Sequence, residues 1–365
     1  MKEKEKGKIK SVTIENFTCF EKVHLDFSTG INLFIGENGT GKTHVLKAMY
    51  AMLRKNPIVE SIQLTSDKNG QKGSKFNYST HLNIEDVFKD ANCSRDKRNK
   101  YTIDIKFDNN EVVSFGLNST KDGFESIFLP LQEDTNFLYN LKPLFIPSTE
   151  MLSWFKGFVP AYEQRESGFD ATFYDLGKAL SLLPLRENII PNKKEMLELI
   201  EETTNILVTQ VNGEFYVSVK EKDSKAFNAS RVASGINKLA QMIYLIRNGT
   251  LTKDTILFWD EPEVNLNPKY IRLVADFLMA LAKAGVQIFV ATHDYLLAHY
   301  LSTKADYREV TDAPPMKFFA FTKGEGGTQV EDADSLAGIQ NNTLLDEYAD
   351  LYELESDLFR QTMKK

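Results

Sequence analysis

The chain is poor in residues that staple or metallate small folds. It has two cysteines, Cys19 and Cys93, and five histidines among 365 residues. Two thiols so far apart in sequence define no disulfide framework and fit a reducing compartment. With no cysteine cluster, and with His293 and His299 lacking metal-ligand spacing on a helix, no zinc site is expected. No apolar run nears the length of roughly 20 residues that spans a bilayer. The opening MKEKEKGKIK is charged where a secretory leader would be apolar. A cytoplasmic protein without a membrane partner is the expectation. Excess positive charge is absent too: 51 acids outnumber 44 lysines and arginines, for a net charge of -7. DNA or RNA is therefore not favoured by bulk attraction, although a local basic face is compatible with that balance. Lys72, Lys75, Arg95, Lys97, Arg98 and Lys100 are mixed with acids and lack regular aromatic neighbours. Such a stretch reads as a solvated insertion rather than a nucleic-acid groove. Internal repeats, low-complexity tracts and sustained heptads are missing.

What is present alternates in period. IKSVTIENF (9–17) has strand alternation, and INLFIG (31–36) is a continuous apolar run of the kind buried in a parallel sheet. After a glycine-rich interruption, Val45, Leu46, Met49, Tyr50 and Leu53 form a helical stripe that Asn56-Pro57 ends. YTIDIKF and EVVSFGL (101–107, 111–117) predict a hairpin turning at Asn109-Asn110. PLFIP (143–147) predicts a short buried strand, 151–205 reads as helical, and GEFYVSVKE (213–221) returns to strand. The final third is the most regular, with a helix after Ser234 and a buried strand TILFWD (255–260). A helix starting at Asn267-Pro268 and ending at Gly285 follows, then a strand VQIFVATHD (286–294) and another helix. This succession predicts an α/β fold with a mainly parallel sheet and antiparallel strands at the N-terminal end.

Gly36-Glu37-Asn38-Gly39-Thr40-Gly41-Lys42-Thr43 satisfies every fixed position of GxxxxGK[ST]. The glycines let backbone N–H groups converge on phosphate oxygens, and the helix that follows adds its positive end. Lys42 would reach the terminal phosphates of a nucleotide such as ATP, and the Thr43 hydroxyl would ligate Mg2+. TILFWD ends in Asp260-Glu261, where the aspartate can hold the metal's water shell and the glutamate can polarise an attacking water. Ser234-Gly235 open another helix N-terminus, a ready anion site. His293 stands at a third strand end, within reach of a γ-phosphate. Taken alone, an ordinary strand end, a plain N-cap and a satisfied histidine account for these last three features.

The order of the elements carries a resemblance. IKSVTIENFTCFEKVHLDFSTGINLFIGENGTGKT resembles the opening of the ABC-type ATPases related to the SMC, Rad50, RecF and OLD proteins. RVASGINKLAQ (231–241) is similar to their signature motif, although Ala233 and Ile236 depart from it. DEPEVNLNP is similar to the Walker B pair with its D-loop, which includes Asn265, and ATHD to the switch histidine. No Q-loop glutamine can be placed, and Ser148 or Glu150 are its candidate substitutes. The segment 145–187 looks like the ATPase subunits of anti-phage systems, PARIS first and Septu second.

The resemblance implies ATP and Mg2+ held between two heads of a self-assembled oligomer. In that arrangement the loop 36–43 of one head faces Ser234 and Gly235 of the other. Asp260 with Thr43 would serve the metal, while Glu261, His293 and Lys42 would carry the hydrolysis. It also implies a separate nuclease effector encoded nearby and a phage protein as trigger. The corresponding division is 1–57 and 230–320 for the two parts of the ATPase head, 58–142 for a strand and loop insertion, 143–229 for a family-specific helical segment, and 321–365 for a C-terminal strand and helical tail. A DNA-repair clamp of the RecF kind is the main alternative. A transporter's nucleotide-binding subunit, which the missing LSGGQ and Q-loop disfavour, and a scaffold that binds ATP without turnover are weaker ones. The lack of a long coiled coil argues against an SMC arm, and the lack of a second acidic cluster after residue 300 argues against a full-length OLD nuclease.

Overall fold

The computed structural model describes residues 7–54, 64–66, 72–74, 87–88, 100–120, 123–130, 141–164, 168–186, 189, 193–221 and 224–363. The first elements are β1 (Ile9–Phe17), β2 (Phe20–Asp26), β3 (Ile31–Gly36) and α1 (Lys42–Leu53), followed by β4 (Tyr101–Phe107), β5 (Val112–Thr120), β6 (Gly123–Pro130) and β7 (Lys142–Ile146). Next come α2 (Phe158–Gln164), α3 (Ala171–Leu180), α4 (Leu199–Thr204), β8 (Ile206–Val211), β9 (Glu214–Val219) and α5 (Ser234–Arg247). The last are β10 (Thr255–Asp260), α6 (Pro268–Lys283), β11 (Gln287–Ala291), α7 (Tyr295–Asp306), β12 (Met316–Gly324), β13 (Gly327–Ala333) and α8 (Thr343–Thr362).

A six-stranded sheet runs in the order β13-β12-β3-β11-β10-β7. All its neighbouring strands are parallel except the β12–β13 hairpin. The largely apolar runs occupy its middle, since a strand covered on both faces keeps a polar side chain only where it is hydrogen-bonded, as Asn32 and Gln287 are. One face packs Leu33, Ile35, Leu257, Trp259, Ile288 and Val290 against the inner sides of α5, α6 and α7. The other presents Phe34, Phe145, Phe258, Phe289, Phe319 and Phe321 to α1 and to a second sheet. These phenylalanines meet in edge-on and stacked pairs, such as Phe34 on Phe319 at 5.2 Å and Phe258 on Phe289 at 5.1 Å.

The second sheet is antiparallel, in the order β2-β1-β4-β5-β6. Its alternating strands turn Val12, Ile14, Ile103 and Ile105 inward, with Val12 opposite Ile105 and Ile14 opposite Ile103. The hairpin expected at 101–117 is present, with its turn at Asn109-Asn110. Its strands, assigned from the sequence to a separate insertion, extend the sheet begun by β1 and β2. Likewise β12 joins the central sheet beside β3, so the division at 320/321 falls within a strand. Apart from residues 72–74 and 87–88, the stretch from Lys72 to Arg98, with Cys93, lies outside the described residues; Cys19 is a free thiol. Among the described residues, no helix is long and apolar enough to cross a membrane.

The helices begin where the side chains say they should. The Asn267 side chain accepts from the N–H of Lys269 with Pro268 in the first turn of α6, and Asp294 accepts from Leu297 N to start α7. Asp170 does the same for α3 through Thr172 N. Asp170 also binds Lys47, while Asp175 binds Tyr50 and Arg54, so α1 and α3 are joined by charged pairs. Residues 193–198, read from the sequence as ordinary helix, form a π-helical turn before α4.

Candidate active site

The parallel strands β3, β10 and β11 bring their C-terminal ends to one edge, and the chemistry-bearing residues follow them. Gly36, Gly39 and Gly41 all have positive φ, which a β-carbon would strain. At Gly41 the space is closed as well, because a β-carbon there would fall 2.3 Å from Cys19 Sγ. The Thr40 hydroxyl donates to Glu37 O at 2.8 Å, and Thr40 O accepts from the Thr328 hydroxyl at 2.9 Å, pinning the loop to β13. Lys42 folds back over the loop, donating to Gly36 O at 2.7 Å and Glu37 O at 2.8 Å. Burial pulls its ammonium below the ordinary lysine range, against the opposing pull of Glu261, Asp260, Glu263 and Glu37.

Thr43, in the first turn of α1, donates from its hydroxyl to Asp260 Oδ1 at 2.9 Å. Burial lifts the Asp260 carboxyl to about 6, with the Thr43 bond opposing and neighbouring Glu261 reinforcing the rise. Glu261 takes a left-handed φ of 45°, and its N–H donates to Ala291 O at 2.8 Å, which ties the end of β10 to β11. Its carboxylate reaches Nδ1 of His293 at 3.2 Å. An acid pair, a buried lysine and a glycine-lined helix start thus share one end of the sheet. Such a donor and acceptor set fits a polyphosphate with a divalent cation, Thr43 and Asp260 being the oxygen ligands on offer.

Ser234 and Gly235 lie elsewhere on the same edge. Ala233 occupies the cap position of α5 and Ser234 is the first helical residue, with no side chain capping the free N–H groups. Asn265 Nδ2 donates to Ser234 Oγ at 3.5 Å, and a β-carbon on Gly235 would meet Asn265 O at 2.5 Å. The start of α5 therefore packs on the turn after β10. Among the described residues neither Ser234 nor Gly235 hydrogen-bonds the loop 36–43. Of the two candidate substitutes after β7, Glu150 is buried and accepts from the Ser153 hydroxyl at 2.6 Å and Asn237 Nδ2 at 3.5 Å.

Two residues that motif reading passed over are central here. Lys238 is 1% exposed and donates to Glu261 O at 3.0 Å and Val264 O at 3.1 Å. Burial lowers it to about 8, although Glu263, Glu261, Glu150 and Asp260 favour its charge. Glu263 is buried; its Oε1 accepts from the Thr292 hydroxyl at 2.6 Å and from His293 N at 3.2 Å, while Oε2 has no partner among the described residues. Burial raises its carboxyl, opposed first by the Thr292 bond. The signal was available: Asn237, Lys238 and Gln241 are polar residues on the buried side of α5, where an unpaired polar group is costly.

Residues 31–298, from β3 into α7, match a family described as "AAA domain, putative AbiEii toxin, Type IV TA system". The DNA replication and repair protein RecF of Clostridioides difficile (strain 630) is 32% identical over 83 residues, 21% of this chain and 22% of that protein. Structural maintenance of chromosomes protein 6 of Dictyostelium discoideum is 47% identical over 51 residues, 14% of this chain and 4% of that protein. The chain thus spans about a fifth or less of the length of these curated relatives. The crystal structure of an SmcHead bound to the C-winged helix domain of ScpA superposes with a TM-score of 0.50 at 14% identity, covering 90% of this chain and 98% of that one. That likeness is one of fold: an SMC-head α/β arrangement with a mostly parallel sheet, antiparallel strands and packed helices.

Proposed function

This chain belongs to the AAA-domain family of the AbiEii kind, and from that premise we propose that it is an ATP-hydrolysing regulator. In this reading two heads assemble around ATP and Mg2+ and control a separate effector, a nuclease, in defence against phage. One observation carries the ATPase part: Thr43 bonded to Asp260 and Glu261 beside His293 stand at adjoining strand ends next to the Lys42 loop. Bound Mg2+ would draw charge from the transferring phosphoryl group. Lys42 would give up its two carbonyl partners for phosphate oxygens. Glu261, oriented by its strand tie and by His293, would accept the proton of the attacking water. Lys238 holds the main chain that positions it. Across the interface, Ser234 and the uncapped N–H groups of α5 would face the other head's phosphate.

Support for the defence reading comes from the toxin–antitoxin description of the family and from the likeness of residues 145–187 to anti-phage ATPase subunits. The RecF relative favours a second reading equally, a repair ATPase that clamps DNA when ATP is bound. Purification of the tagged chain from its host, followed by native mass spectrometry with and without ATP, tests the two. An oligomer carrying a nuclease-like protein supports the regulator. A bare dimer formed only with ATP and Mg2+, and binding duplex DNA, overturns it in favour of the clamp.

A further inference from the structure

Helix α8 contrasts with every other long helix of the described residues, because none of its twenty residues is buried. Tyr348, Leu351, Tyr352, Leu358, Phe359 and Met363 are 52 to 75% exposed. At 3.6 residues per turn these side chains share one arc, while Asp346, Asp350, Glu353 and Asp357 line the opposite side. Among the described residues, the helix is rooted near its start. The Asn342 side chain caps it through Leu345 N, Leu344 packs on the core, and the Tyr348 ring stacks on Tyr295 at 4.3 Å. Beyond that root about four turns of largely apolar surface lie open to water, a pattern that marks an interaction site.

The helix itself narrows what covers it. Six acids against the single Arg360 repel anionic lipid and nucleic acid alike. A second α8 fits. Leu345, Tyr348, Tyr352, Glu355, Phe359 and Thr362 follow the alternating three- and four-residue steps of a helix-pairing seam. The seam is self-complementary when two such helices run antiparallel about an axis between Glu353 and Leu354. Tyr348 then faces Phe359, and Leu345 faces Thr362. Tyr352 faces Glu355, the acid in the middle of the apolar arc, so that each phenol can donate to the opposite carboxylate. The four acids on the back stay in solvent. The exposed aromatic and leucine side chains offer an area on the order of the roughly 800 Å² per partner that a standard interface buries.

We infer that α8 pairs antiparallel with α8 of a second copy of this chain, without need of nucleotide. This contact is distinct from the ATP-dependent meeting of heads proposed above. A chain with two self-complementary faces builds assemblies larger than a dimer, closed or open according to the angle between the two axes.

Sedimentation velocity of the full chain tests it, without nucleotide and then with ATP and Mg2+ in a Glu261→Gln background. The expected result is a dimer at micromolar concentration with no nucleotide, tightening as salt screens the acids on the two backs. Tyr352→Glu should weaken it at least 100-fold by setting two acids face to face, whereas Tyr352→Lys, placed opposite Glu355, should retain it. Tyr352 is exposed, and an unchanged melting temperature of each variant verifies folding. A nucleotide-free monomer at 100-fold higher concentration, or a dimer indifferent to both substitutions, overturns the pairing and leaves the face to a different protein. A dimer seen only with ATP and Mg2+ sinks the α8 contact while sparing the proposed function. A nucleotide-free dimer that Tyr352→Glu dissolves, in a chain without ATP turnover, does the reverse.

Discussion

Lys238 Nζ lies 3.0 Å from the main-chain oxygen of Glu261 and 3.1 Å from that of Val264. One buried cation thereby fixes the turn that carries the candidate general base, from a helix whose first residues are the candidate contact to a second head. Lys238→Met leaves both carbonyls without this donor. It should lower stability by about 1–3 kcal/mol and slow ATP turnover at least tenfold with little change in ATP affinity. Chemical denaturation and single-turnover hydrolysis measure the two.

The same lysine sets a pH dependence. Its folded value of about 8 lies below the unfolded lysine value of 10.5, so between those limits the unfolded chain binds more protons. Stability should therefore rise with pH across that window, by at most about 1.4 kcal/mol per pH unit for one proton. The rise should be missing from Lys238→Met. Denaturation midpoints of parent and variant, followed from pH 8 to 10.5, supply the comparison; parallel curves would remove Lys238 as the source.

Glu261→Gln preserves size and hydrogen bonding but loses proton acceptance. Turnover should fall by about 10²- to 10⁴-fold while nucleotide binding persists. If the variant hydrolyses ATP at the parent rate, the base lies elsewhere.

Lys42→Ala removes the cation beside the loop and should abolish detectable ATP binding in calorimetry. Unchanged affinity would end the phosphate-loop assignment.

Asp175 joins α3 to α1 through Arg54, whose side chain is 6% exposed, and the Tyr50 hydroxyl. Asp175→Ala strips a partner from a nearly buried charge and should cost about 2–4 kcal/mol in urea unfolding. Asp175→Asn should recover part of that loss by keeping a hydrogen-bond acceptor.

Local signals explain why the sheet could be read from sequence. INLFIG, TILFWD and QIFVA are covered on both faces and so are mostly apolar, their buried Asn32 and Gln287 being hydrogen-bonded, while Asn267-Pro268 and Asp294 start helices through bonds made within one turn. The loop 36–43 was equally legible, because positive φ favours glycine at 36, 39 and 41 and close approach closes 36 and 41 to a β-carbon. Other features depend on partners distant in sequence. Nothing around Tyr101 announces that β4 pairs with β1, and nothing beside Glu263 announces Thr292 as its donor. Lys238 falls between these cases: its position on the buried side of α5 was visible, but its acceptors were not.

The place of β3 in the sheet also bears on how the chain acquires its site. Residues 31–36 are flanked by 288–291 on one side and by 316–321 on the other. The strand that carries the phosphate loop is thus synthesised long before either of its neighbours. On a ribosome the loop would emerge long before the strands that hold its ends in place, and such non-local pairing is slow to form. A nascent chain should accordingly be unable to retain ATP until β12 has left the exit tunnel, which couples nucleotide capture to completion of the sheet.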